Sequence, residues 1–222
     1  ARKTREAFLQ QCVPVCCFTM DECAFKKAVI HSDVEKLHRV CAGQDPEFVK
    51  YVMNNLTFDK RGTTAMQIAA TSGTREMCEL LLDYGARVDR PLFGGGSALH
   101  AAVESGRLDT ARCLLQRGAN VYLVNANGES ALSLAANRGL VDMCMLLLEF
   151  GADVHQGRLH NRLPLYLAAR HDWRDVCRLL LKHGADPKKP CANGKTALTV
   201  AAEMDHSVCF HILLAALVRQ TV

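Results

Sequence analysis

The chain has 222 residues, enough for one or two compact domains or one array with a substantial buried core, which excludes a stapled miniprotein. Hydrophobic residues make up 49% and charged residues 23%, so the chain falls with folded globular proteins and away from disordered ones. A net charge of +4 is too small to argue for a nucleic-acid ligand by itself.

The longest apolar run, Ile212 to Val218, is far shorter than the ~20 residues that cross a bilayer. No membrane contact is expected. The charged start, Ala1 to Glu6, is followed by no apolar leader core, and the first residue is not Met, so the expectation is a piece of a longer protein without a secretory signal. Eleven cysteines, several recurring at one helical slot, read as reduced thiols of a cytoplasmic or nuclear protein.

In chain order, residues 1–20 are expected to form an N-terminal cap. Cys12, Cys16, Cys17, Cys23 and His31 are dense enough to raise zinc, but the spacing lacks paired C-x2-C knuckles, so thiols of the cap are expected and no metal. Residues 21–58 read as a degenerate unit with an insert. Ala28 to Leu37 aligns with Ala102 to Ala111, and Asp45-Pro46 then opens Glu47 to Val52, the pattern of a capped insert helix or a lengthened connection.

Residues 59–222 carry one period. Gly85, Gly118, Gly151 and Gly184 fall 33 residues apart, each followed by Ala. Five segments share one register, from Gly62 to Ala70, Gly95 to Val103, Gly128 to Ala136, Asn161 to Ala169 and Gly194 to Ala202. Each opens on Gly or Asn, where a turn needs positive φ, and Thr64, Ser97, Ser130 and Thr196 can cap the helix that follows, while Pro164 suits a first helical turn. Ala69, Ala102, Ala135, Ala168 and Ala201 hold one slot of that short helix, which lets neighbouring backbones approach. After a break, at Gly73, Gly106 or Gly139 in the first three units, comes a second helix bearing paired leucines and ending on the Gly85-type residue.

These features resemble the ankyrin repeat, on the strength of Ala98-Leu99-His100, Gly118-Ala119-Asn120-Val121 and Gly151-Ala152-Asp153-Val154. The resemblance implies an all-α solenoid of antiparallel helix pairs with protruding turn tips, five clear repeats and a degenerate one. It implies a non-catalytic protein-interaction module, without cofactor. His100 stands in the slot where an imidazole bonds neighbouring turn backbones. His is kept only there, Pro only at Pro164, and Leu163 replaces the usual Ser or Thr.

No phosphate loop, nucleophile elbow or H-E-x-x-H pattern appears, and Phe93-Gly94-Gly95-Gly96 reads as a repeat-entry turn. Cys78, Cys144 and Cys177 share one slot and read as core. Function is therefore expected on the concave side, where turn tips and first-helix ends do not pack. Positive charge concentrates in the third to fifth units. The expected partner-binding residues are Arg138, Arg158, His160, Arg162, Arg170, His171 and Trp173, with Phe93 as an aromatic at a turn tip that either anchors a partner or folds onto Tyr122. The expected partner is another protein or peptide segment, acidic or acidic-apolar. A part in a larger ubiquitin-ligase or scaffold adaptor is the first alternative, and nucleic-acid binding through basic tips the second. The apolar C-terminal face also allows self-association.

Overall fold

A computed structural model describes residues 20–59, 62–72, 74–91, 96–157, 163–191 and 193–219. The cap expected over residues 1–20 lies outside these residues but for Met20, which is buried. Thirteen helices form among the described residues and no strand. They are α1 (Glu22–Ile30), α2 (Val34–Cys41), α3 (Pro46–Asn55), α4 (Ala65–Ser72), α5 (Arg75–Asp83), α6 (Ala98–Glu104), α7 (Leu108–Gln116), α8 (Ala131–Asn137), α9 (Val141–Glu149), α10 (Pro164–Arg170), α11 (Arg174–Lys182), α12 (Ala197–Glu203) and α13 (Ser207–Arg219).

Local chemistry starts each pair. The Ser130 hydroxyl accepts from the Ser133 N–H at 3.1 Å and the Thr196 hydroxyl from the Thr199 N–H at 3.2 Å, satisfying donors that a helix start leaves unpaired. Six pairs then stack. Helices α1, α4, α6, α8, α10 and α12 pack side by side in one layer, and α2, α5, α7, α9, α11 and α13 in the other. The alanine slot is fully buried in the first layer at Ala69, Ala102, Ala135, Ala168 and Ala201, and Leu81, Leu114, Leu147, Leu180 and Leu213 are fully buried in the second. Each such leucine contributes about 1.5–3 kcal/mol from the apolar surface it removes from water.

The turn between the helices of a pair needs a left-handed residue. Gly106 and Gly139 supply it at φ 68° and 72°, but Ser32, Asp172 and Asp205 hold the same place at φ 53°, 56° and 57°. Short polar side chains are among the non-glycine residues that enter this region at modest cost. The degenerate unit and the fourth and fifth clear units have no glycine there, yet the turn forms in each.

The insert is helical. Asp45 caps α3 by accepting from the Phe48 N–H at 3.2 Å, Pro46 occupies the first turn, and Val49, Val52 and Met53 enter the core. Asn54 then does what a preceding turn tip does elsewhere. Its amide donates to the Gly85 carbonyl at 2.9 Å and its carbonyl accepts from the Arg87 N–H at 2.8 Å, whereas one period later the Asn120 N–H is held by the Asp89 carboxylate. Asn54→Ala is expected to cost about 1–2 kcal/mol, by stranding both backbone groups, without loss of helix content. Urea unfolding followed by circular dichroism measures it; an unchanged midpoint would mean that water replaces the side chain.

At the far end α13 runs through the position where Gly85, Gly118, Gly151 and Gly184 stop the other second helices. Leu217 occupies that position and the helix continues to Arg219. Among the described residues no further helix packs on this face. Ala202 is exposed although its counterparts Ala70, Val103, Ala136 and Ala169 are fully buried, and Leu214 and Val218 are 38% and 57% exposed.

Candidate functional site

Stacking the first helices side by side brings their C-terminal ends into one row. Ser105, Arg138, His171 and Met204 are the C-cap residues of α6, α8, α10 and α12, so Arg138 and His171 stand one layer apart, at the ~10 Å spacing of packed helices. All four are exposed. Arg170, the last residue of α10, is exposed beside His171.

The charges around this row are unevenly matched. Asp172 is held by Arg174 at 2.6 Å, and this guanidinium keeps its carboxyl below the usual range. Glu203 is held by Lys195 at 2.6 Å. Arg75, Arg117 and Arg178, on or beside second helices, are likewise paired, with Glu79, Asp83 and Asp175. No carboxylate of the described residues pairs with Arg138 or Arg170. Partial loss of hydration, then repulsion from Arg170 and His206, lowers the proton affinity of His171.

Trp173 begins the second helix of its unit and reaches back to the unit before. Its indole N–H donates to the Asn137 carbonyl at 3.1 Å, and its ring lies so close over Gly139 that a Cβ there would fall 2.5 Å from a ring carbon. The Asn137 carbonyl is one of those that a helix C-terminus leaves unpaired. His206 follows the same logic one period later, with Nδ1 donating to the Ala169 carbonyl at 3.0 Å. Trp173 thus joins two units and remains 41% exposed, and Met204, at the far end of the row, is 48% exposed. His206 was not among the expected site residues; its shared register with Trp173 was the available signal.

Arg158, His160, Arg162 and Phe93 lie outside the described residues. Tyr122, onto which Phe93 folds in one of its two readings, is exposed, with its hydroxyl toward Gly151. Of the N-terminal cysteines only Cys23 is described; it is exposed. Among the described residues no group of three or more His, Cys, Asp or Glu could hold a metal ion.

The remaining candidates belong to the framework. Cys78, Cys144 and Cys177 are fully buried, and burial pushes the Cys78 and Cys144 thiols up to about 12. A hydrogen bond with Cys209, whose sulfur lies 3.9 Å away, raises the Cys177 thiol, with burial adding to it. His100 accepts from the Ser97 N–H at Nδ1, 3.3 Å, which leaves its proton on Nε2 to donate to the Glu129 carbonyl of the next unit, 3.3 Å. Gln67, one period earlier, makes the same bridge: its side-chain oxygen accepts from the Thr64 N–H at 2.9 Å and its amide donates to the Gly96 carbonyl at 3.3 Å.

The described residues thus define an all-α stack of helix pairs with a recurring surface row and no assembled set of reactive groups. A family model described as ankyrin repeats (3 copies) matches residues 37–125, 99–191 and 153–221. The chain belongs to the ankyrin-repeat family. Ankyrin repeats are generally protein–protein interaction modules and are typically non-catalytic. A search of curated proteins gave no match. No helix among the described residues is long and apolar enough to cross a membrane.

Proposed function

We propose that this array binds an acidic or acidic-apolar segment of another protein, laid along the concave groove over the third to fifth clear repeats. One observation carries the reading: among the described residues Arg138 and Arg170 have no carboxylate partner, while Asp172, two residues from Arg170, and Glu203, one layer beyond it in the same slot, are already taken by Arg174 and Lys195. The groove therefore carries two guanidinium charges that no ion pair of the described residues neutralises. A carboxylate offers a guanidinium two parallel hydrogen bonds, and the exposed faces of Trp173 and Met204 suit an apolar residue alongside. Arg158, His160, Arg162 and Phe93 belong to the same proposed contact set.

Reversing both charges, as Arg138→Glu with Arg170→Glu, is expected to weaken capture of such a segment more than tenfold while leaving the melting temperature within about 1 °C of the parent. Affinity capture from cell extract, compared by mass spectrometry between parent and double variant, reads this directly. The proteins lost from the variant should share an acidic stretch. Equal recovery by both proteins removes the groove from consideration. The alternative roles, in a larger adaptor or on nucleic acid, draw on no observation of similar weight. A labelled oligonucleotide that bound and was released steeply by salt would favour the latter. Self-association through the α12–α13 face is a separate proposal, read from sedimentation velocity across protein concentrations.

A further inference from the structure

The row holds one imidazole, His171, beside its guanidiniums, and this bears on how the groove would hold an anion. His171 caps α10, between Arg138 at the end of α8 and the turn that follows α12. The charged and titratable groups around it are Arg170 on its own helix, Arg138 from α8, Asp172 and Arg174 at the start of α11, and Glu203, Asp205 and His206 from the end of α12 and its turn. Asp172 and Glu203 are occupied by their own cations. His206 is fixed in place by its bond to the Ala169 carbonyl. Of these acids only Asp205 has no ion-pair partner among the described residues, so an additional proton on His171 enters a neighbourhood richer in cations than in free carboxylates, unless a carboxylate from outside arrives with it.

We infer that binding of an acidic segment in this groove is coupled to uptake of a proton by His171, so that the groove holds such a segment more tightly as pH falls from 7.5 to 5.5. This deepens the proposed function and rests on it. In the unbound protein three influences oppose protonation of His171, namely partial loss of hydration, Arg170 and His206. A docked carboxylate offsets the two charges. Linkage fixes the sign: a group that binds protons more strongly in the complex than in the free protein makes the complex tighter as pH falls, and an upward shift of one pKa unit corresponds to tenfold in affinity at the acid limit.

Tetramethylrhodamine-labelled octaglutamate is a suitable probe, because the dye does not titrate in this range and carboxylates with pKa near 4.3 stay largely ionised from pH 5.5 to 7.5. Anisotropy titrations at pH 5.5, 6.5 and 7.5 are expected to show affinity rising about fivefold toward pH 5.5. The readout is the ratio of affinities between the two ends of the range, not their absolute values. His171→Gln should bring that ratio to about one. His171→Arg, charged at every pH, should also give a flat profile, held at the tighter end. His206→Gln should keep the gain and move it to higher pH, because one competing charge is removed. A gain retained in His171→Gln, or abolished by His206→Gln instead, overturns the inference. So does Arg138/Arg170-dependent binding that is flat with pH in the parent. Failure of the underlying reading looks different: octaglutamate then fails to bind at every pH, or binds the Arg138→Glu, Arg170→Glu variant as well as the parent.

Discussion

A methyl group added at Gly139 is expected to destabilise the array by about 2–5 kcal/mol and to release the indole of Trp173 toward water. Two costs add. At φ 72° an alanine pays about 1–2 kcal/mol for the left-handed backbone. Its Cβ would also meet three ring carbons of Trp173 at 2.5 to 2.7 Å, distances that force the ring away, and overpacking of this kind costs about 1–3 kcal/mol. A displaced ring surrenders the hydrogen bond from its N–H to the Asn137 carbonyl. Trp173 is the single tryptophan of the chain, so its emission reports this event without interference. Gly139→Ala should lower the urea midpoint and shift folded-state emission to the red. An unchanged emission maximum, with stability within 0.5 kcal/mol of the parent, would show that the ring does not depend on this contact. Gly106→Ala is the natural comparison. It meets the same backbone demand at φ 68°, but its Cβ would have nothing within 4 Å, so only the conformational cost should appear.

Replacement of His100 separates a structural imidazole from a chemical one. His100→Leu strands the Ser97 N–H in a buried place and removes one of the two bonds to the Glu129 carbonyl, which keeps the one from the Asn125 N–H, and is expected to cost about 1–3 kcal/mol. His100→Gln should be nearly neutral at pH 8, because Gln67 already makes the same bridge one unit earlier with an amide. The two differ in acid. Burial holds the proton affinity of His100 below the usual range, against the weaker opposite pull of the Glu129 and Leu123 carbonyls. The unfolded chain therefore takes up this proton first. Its contribution to stability is complete above about pH 6.5 and falls as pH drops below that value. Melting temperatures from pH 8 to 5 should decline more steeply for the parent than for His100→Gln. Parallel curves would mean that the ring is protonated in the folded state without penalty.

The helix pairs, their order and their shared core were legible because each depends on local needs that recur along the chain. Positive φ calls for Gly at residues 85, 118, 151 and 184, close approach of helices calls for Ala at 69, 102, 135, 168 and 201, and the interior calls for the paired leucines. Identical demands every 33 residues write themselves as a period. The groove row was legible in the same way, since Arg138 and His171 share a register. What the period leaves open is which side chain meets which. Asn54 reaching Gly85 and Arg87, Trp173 lying on Gly139, and His206 turning back to Ala169 join residues 31 to 37 positions apart through side-chain directions that no spacing encodes. The pairing of Asp172 with Arg174 and of Glu203 with Lys195, which leaves Arg138 and Arg170 without a counter-charge, was likewise decided only by the tertiary structure. A backbone requirement is satisfied by one residue where it stands; a charge is balanced or left bare by whatever the fold brings beside it.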